Sequence, residues 1–208
     1  MKSALKWVSW LAIPNIGILI VTLQALGLMM VLLDPSWVLR LALIPSMVAD
    51  EPWRLITFLS LPLSVSPIFA LLTLWFLYFV LNVIETQWGS LRTTLYVLTS
   101  IMATIVFSLL LGYPVTSVSY FESTLFLAAA MLMPEMEISL FGIVPVKMKW
   151  LAWLSFFFVG RDLLFSDWLG RGYILAMYSN FILFFGPNVL ASLKNAQRRR
   201  RYRRGLRP

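Results

Sequence analysis

The residues of this chain able to do chemistry fall in five places. They are Glu51-Pro52-Trp53-Arg54, Glu85 to Arg92 with Gly89 and Ser90, the serines Ser117, Ser119 and Ser123, the triplet Tyr178-Ser179-Asn180, and the run Arg198 to Arg204. A serine hydroxyl is a weak nucleophile until a positioned base takes its proton. The chain contains no histidine and no cysteine. That removes the side chain best suited to move a proton near neutral pH, the thiolate nucleophiles, disulfides, and the commonest metal ligands. Neither a catalytic residue nor a metal or other cofactor is therefore expected.

The elements that position these residues must live in lipid. The 208 residues are 60% hydrophobic and 12% charged, where soluble domains are about 25% charged. The mean hydropathy is +0.84. A helix crossing roughly 30 Å of hydrocarbon needs about 20 mostly apolar residues, and long apolar runs broken by turn residues favour helices over an outer-membrane barrel. The runs predict six spans, at 13–33, 66–84, 91–111, 117–133, 150–165 and 173–189. The fourth is short. Residues 34–54, rich in proline and carrying Trp37 and Trp53, are expected to lie on the membrane surface. Glu85 to Arg92 reads as a compact turn, with Glu85 pairing Arg92, Gly89 at the helix exit and Ser90 capping the next helix. Pro134 to Lys149 reads as a polar loop.

Placing both termini inside the cell puts thirteen of the 17 basic residues in the cytoplasm, as the positive-inside rule asks. The expected organisation is a cytoplasmic N-terminus (1–12), a six-helix membrane domain (13–190) and an unstructured basic tail (191–208). Lysine is the only substitute base for a serine, and Lys147 and Lys149 fall on the opposite face from Ser119 and Ser123, about 30 Å away. Isolated intramembrane polar groups, here Gln24, Asn82, Ser100, Thr104 and their like, usually hydrogen-bond between helices. No charged residue is expected at mid-membrane depth, which argues against a proton relay or ion-coupled pump. Arg198, Arg199, Arg200, Arg201, Arg203 and Arg204 are expected to orient the chain and hold anionic lipid rather than nucleic acid. Trp53 and Arg54 read as an interfacial anchor with a snorkelling arginine.

Glu51-Pro52-Trp53-Arg54, followed after one helix by Glu85-Thr-Gln-Trp-Gly89-Ser90-Leu-Arg92, resembles the rhomboid superfamily, including its Derlin branch. Rhomboids carry a Trp-Arg pair in the loop after the first helix and a Glu with Gly-Ser past the second. The large first loop, short fourth helix and Pro-containing loop after it also look like that superfamily. The resemblance implies an all-α, six-helix membrane bundle in which Trp53, Arg54, Glu85, Gly89 and Ser90 are structural motif residues. The departures matter equally. The Gly-x-Ser-Gly motif and the sixth-helix histidine of active rhomboids are absent, and Ser179 and Asn180 fall where the family's active centre would lie. The resemblance therefore implies a pseudoprotease that binds transmembrane segments of client proteins for quality control, trafficking or extraction, at Ser119, Ser123, Ser179 and Asn180. An unorthodox serine protease using Ser119 or Ser123, and a small transporter or channel, are the competing readings. A bacterial plasma membrane is the expected location.

Overall fold

A computed structural model describes residues 12–140 and 144–205, with side chains described for 12–139 and 145–186. Six long helices stand where the apolar runs predict them. They are α1 (Ile16–Leu33), α4 (Pro67–Trp88), α5 (Ser90–Leu111), α6 (Ser119–Leu132), α7 (Met148–Phe165) and α8 (Trp168–Gly205). Between α1 and α4 come the short helices α2 (Trp37–Leu41) and α3 (Arg54–Thr57), with 3₁₀ turns at Pro45–Met47 and Phe58–Ser60. Among the described residues α1, α4 and α5 are long and apolar enough to cross a membrane. α6 has only 14 residues, and α7 carries Lys149, Arg161 and Asp162 within its 18.

The helix boundaries follow from local chemistry. Pro67 opens α4, where its missing N–H is no loss. α4 then runs through Glu85 to Trp88 and stops at Gly89, whose φ of 78° favours glycine. The expected eight-residue turn is therefore one residue long. α5 stops at Gly112, which takes the left-handed conformation with φ 68°. The stretch read as a polar loop is instead a hairpin of β1 (Glu137–Leu140) and β2 (Val144–Lys147), paired antiparallel with Glu137 opposite Lys147. The tail read as unstructured continues α8 to Gly205. Residues 191–204 hold helix formers such as Ala, Leu, Lys, Gln and Arg without proline or glycine, which accounts for the extension. The side chains of Arg198 to Arg204 lie outside the described residues.

The core is mainly apolar, but α5 turns polar groups inward and apolar side chains outward. On α5, Thr93, Ser100, Thr104 and Ser108 are buried at helical spacing, while Met102, Val106, Leu109 and Leu110 face outward. Lipid explains this arrangement: apolar surface costs nothing there, and helices associate through hydrogen bonds and close packing. Gly27 shows the packing. A Cβ there would run into the Ser60 backbone carbonyl, so α1 lies directly on the 3₁₀ turn at Phe58–Ser60.

The first loop does not rest wholly on a surface. Ala42 and Leu43 are buried, and Leu43 exchanges backbone hydrogen bonds with Val115, its N–H donating to the Val115 carbonyl at 3.1 Å and its carbonyl accepting from the Val115 N–H at 2.9 Å. Irregular backbone at depth is tolerated where protein covers it and its polar groups are paired. Arg54 completes the pairing, donating to the carbonyls of Leu39 at 2.6 Å and Ala42 at 2.7 Å and to the Glu51 carboxylate. It is 4% exposed and so does not snorkel. Trp53 beside it is exposed.

Candidate functional site

Three long helices, α4, α7 and α8, pack on α6. Phe121, Thr124, Leu125, Leu127, Ala128 and Ala129 are buried, with α4 packed on one side and α7 and α8 on the other. The N-terminal turns of α6 are the polar part, presenting Ser119, Glu122 and Ser123. A cavity of about 260 Å³ lies above these residues. Thr73, Phe76 and Leu77 of α4 form one wall and Ser155 of α7 the other. A second cavity, of about 320 Å³, lies between α6 and α7 and shares Ser119, Ser123 and Ser155 with the first. Together they form a cleft between α4 and α7, floored by α6. Around it Trp75, Leu154 and Phe158 are exposed.

The Ser123 hydroxyl shares hydrogen bonds with the Tyr178 hydroxyl at 2.8 Å and the Ser155 hydroxyl at 3.1 Å. Sequence reasoning placed Ser179 and Asn180 opposite the serines, and the structure corrects this. Successive helical residues turn by about 100°, so only one of the triplet can face α6, and it is Tyr178. Ser179 points outward and donates to the Ala176 carbonyl. Asn180, 2% exposed, faces α5, where its amide donates to the Ser100 hydroxyl at 2.6 Å and the Tyr96 carbonyl at 3.1 Å and its oxygen accepts from Thr99 at 2.8 Å. It clasps α5 to α8. Ser119 lines both cavities.

Glu122 corrects the expectation that no charged group stands at depth. Its Oε1 accepts a 2.6 Å hydrogen bond from the Gln24 amide, and Gln24 is buried midway along α1. The two residues are 98 positions apart, and no local pattern pairs them. The contact brings a residue of the first turn of α6 level with the middle of α1.

At the opposite end Glu85 fixes the α4–α5 corner, through Ser90 and Asn15 rather than Arg92. One carboxylate oxygen accepts from the Ser90 hydroxyl at 2.6 Å and the Asn15 backbone N–H at 2.9 Å. Thr94 accepts from the Ile13 N–H nearby. The motif residues Glu85, Gly89 and Ser90 thus share one corner, while Trp53 and Arg54 belong to the first loop. The hairpin is tied to the start of α7 by Glu135, which accepts from Lys147 at 2.9 Å and Lys149 at 2.6 Å. These bonds hold its carboxyl below the ordinary value.

Chemically, the cleft offers hydroxyls and two carboxylates, Glu122 held by the Gln24 amide and Asp162 paired with Arg161. The groups bonded to the Ser123 hydroxyl are a phenol and another hydroxyl, and the Glu122 carboxylate bonds the amide of Gln24. A phenol with an ordinary pKa of about 10 keeps its proton at neutral pH. Among the described residues no cluster of acids could hold a metal ion. Set against known proteins, the chain matches no family model, no curated protein and no solved structure.

Proposed function

We propose that this chain is a rhomboid-like membrane protein that holds transmembrane segments of client proteins in the cleft between α4 and α7 without cutting them. In this reading α1, α4, α5, α6, α7 and α8 all cross a bacterial plasma membrane, both termini are cytoplasmic, and the arginines beyond α8's span hold anionic lipid. One observation carries the reading. The polar floor of the bundle, Ser119, Glu122 and Ser123, is reached through a cavity walled by α4 and α7, flanked by exposed apolar side chains. A client helix arriving from lipid meets there the polar groups that the rest of the outer surface withholds.

The short α6 adds a second contribution. Its 14 residues span about 21 Å at 1.5 Å per residue, well under the roughly 30 Å of hydrocarbon. Mismatch of that size favours local thinning of the bilayer, which lowers the cost of moving a polar client segment. The lack of histidine and cysteine supports holding over cutting.

The test is a photo-crosslinking amino acid placed at Thr73 in the cleft wall and, as a control, at Leu110 on the outer face of α5. Adducts with membrane-spanning segments at Thr73, well above the Leu110 level and intact on sequencing, are expected. Equal capture at the two sites would remove the cleft as a client site. Severed adducts would restore the protease reading.

A further inference from the structure

Glu122 is the carboxylate of the polar floor on which the holding function rests, and it is free of any cation among the described residues. Gln24 occupies only its Oε1. The other oxygen has no hydrogen-bond partner among the described residues, and it is not among buried atoms lacking one, so it faces open cavity space. The ion pairs of the described residues are Arg54 with Glu51, Lys147 and Lys149 with Glu135, and Arg161 with Asp162. None involves Glu122, and no lysine or arginine lines either cavity.

A carboxylate at this depth is costly, and groups of this kind in membranes usually pair with a partner or mark a pathway. Here the chain supplies an aligning amide and no cation. Gln24 donates through its amide N–H, which orients the carboxylate and leaves one oxygen directed at an incoming donor. Ser119, Ser123 and Ser155 surround it with further hydrogen-bonding groups. A lysine or arginine in the middle of a client helix has the complementary problem, a cation stranded in hydrocarbon.

We infer that the cleft selects membrane-spanning segments carrying a lysine or arginine near mid-depth, with Glu122 as the counter-ion and Gln24 as its positioning partner. The inference rests on the client-holding reading and names the client class. It places the contact level with Gln24, midway along α1, so a basic residue near either end of the client helix gains nothing.

The experiment uses the full chain in lipid nanodiscs with the crosslinker at Thr73. Guests are synthetic apolar helices of about 20 residues carrying lysine, leucine or glutamate at the centre, or lysine one turn from the end. The central-lysine guest is expected to be captured about tenfold more than the leucine guest, with glutamate captured least and terminal lysine matching leucine. Glu122→Gln, which keeps the shape and the Gln24 contact, should erase the lysine preference, so that lysine and leucine guests are captured alike by that variant. Glu122→Lys should transfer the preference to the glutamate guest. Equal capture of all guests by the wild-type chain would overturn the inference while leaving the holding reading intact. No capture of any guest above the Leu110 control would overturn both. Because the guest comparison is made on the wild-type chain, it stands whether or not either variant folds.

Discussion

Ser123 of α6 and Tyr178 of α8 meet hydroxyl to hydroxyl at 2.8 Å, with Ser155 of α7 on the other side of Ser123 at 3.1 Å. Three helices therefore meet on one hydroxyl. On the proposed holding function this position, where the rhomboid resemblance would put a nucleophile and its base, serves structure, because a phenol can donate and accept but does not deprotonate a serine at neutral pH.

A fluorophosphonate probe should consequently leave the wild-type chain unlabelled. Tyr178→Phe removes one of the two bonds to Ser123 and should cost about 1 kcal/mol, the usual net value of a neutral hydrogen bond, read by thermal unfolding in detergent. Labelling of Ser123 in the wild-type chain, abolished by Ser123→Ala, would reverse the assignment.

The loop after α1 depends on one side chain. Arg54→Leu would strand the carbonyls of Leu39 and Ala42 and leave Glu51 without its cation, a loss of about 3 kcal/mol. Arg54→Lys should recover only part of this, since an ammonium lacks the planar fork that reaches all three acceptors. Trp53→Ala, at an exposed position, should barely change stability. Limited proteolysis between residues 34 and 60 would separate the three variants, and equal protection of all three would refute the keystone role.

Glycines give a graded test of helix packing. Gly27→Ala forces a methyl into the Ser60 backbone and should destabilise by about 3 kcal/mol, the upper range for overpacking. Gly17→Ala meets the Leu81 Cβ at 3.1 Å and should be milder. Gly160 of α7 has nothing within 4 Å of a Cβ, so Gly160→Ala should be neutral or stabilise by about 0.5 kcal/mol through helix propensity. A different order in unfolding midpoints would mean that α1 does not sit on the 3₁₀ turn as described.

Much of this architecture is readable from apolar run lengths alone. The starts of α4 and α5 and the end of α5 coincide with Pro67, Gly89 and Gly112, whose backbone chemistry is local. What local patterns do not disclose are partners. The burial of Arg54 depends on carbonyls 12 and 15 residues away, Glu122 depends on Gln24 at 98, and Ser123 on Tyr178 at 55. Tyr178 could have been singled out, since it sits in the triplet that already drew notice and only helical phase distinguishes it from Ser179 and Asn180. The β1–β2 hairpin escaped because Glu137–Leu140 and Val144–Lys147 are each four residues long, too short for a clear alternation.

The hairpin should loosen in acid. Lys149 and Lys147 lower the carboxyl of Glu135 from its ordinary value of 4.5. A carboxyl with a depressed folded-state pKa adds stability above its unfolded value, and that stability is lost as pH falls through the lower folded value. The contribution is thus fully present at neutral pH and disappears below about 4.5. Amide hydrogen exchange across Glu137–Lys147, corrected for intrinsic rates, should quicken in that range for the wild-type chain. Glu135→Gln should exchange at its faster level already at pH 7, and an identical profile for both proteins would show that the ion pairs do not hold the hairpin.

Crossing of the membrane by the helices, and its direction, can be read on a background free of native thiols, since the chain has no cysteine. Ser66 and Gln87 flank α4 at its two ends and are both exposed, so cysteines introduced there should lie on opposite sides. With both termini inside, Ser66→Cys should react with a membrane-impermeant maleimide in intact cells, and Gln87→Cys only after the membrane is opened. Gln197→Cys, beyond the expected last span, should behave like Gln87→Cys, because an even number of crossings separates them. Labelling of Gln197→Cys in intact cells while Gln87→Cys stays protected would require an odd number of crossings after α4. That outcome would remove one or three of α5, α6, α7 and α8 from the set of spans, and with them the geometry that opens the cleft to lipid.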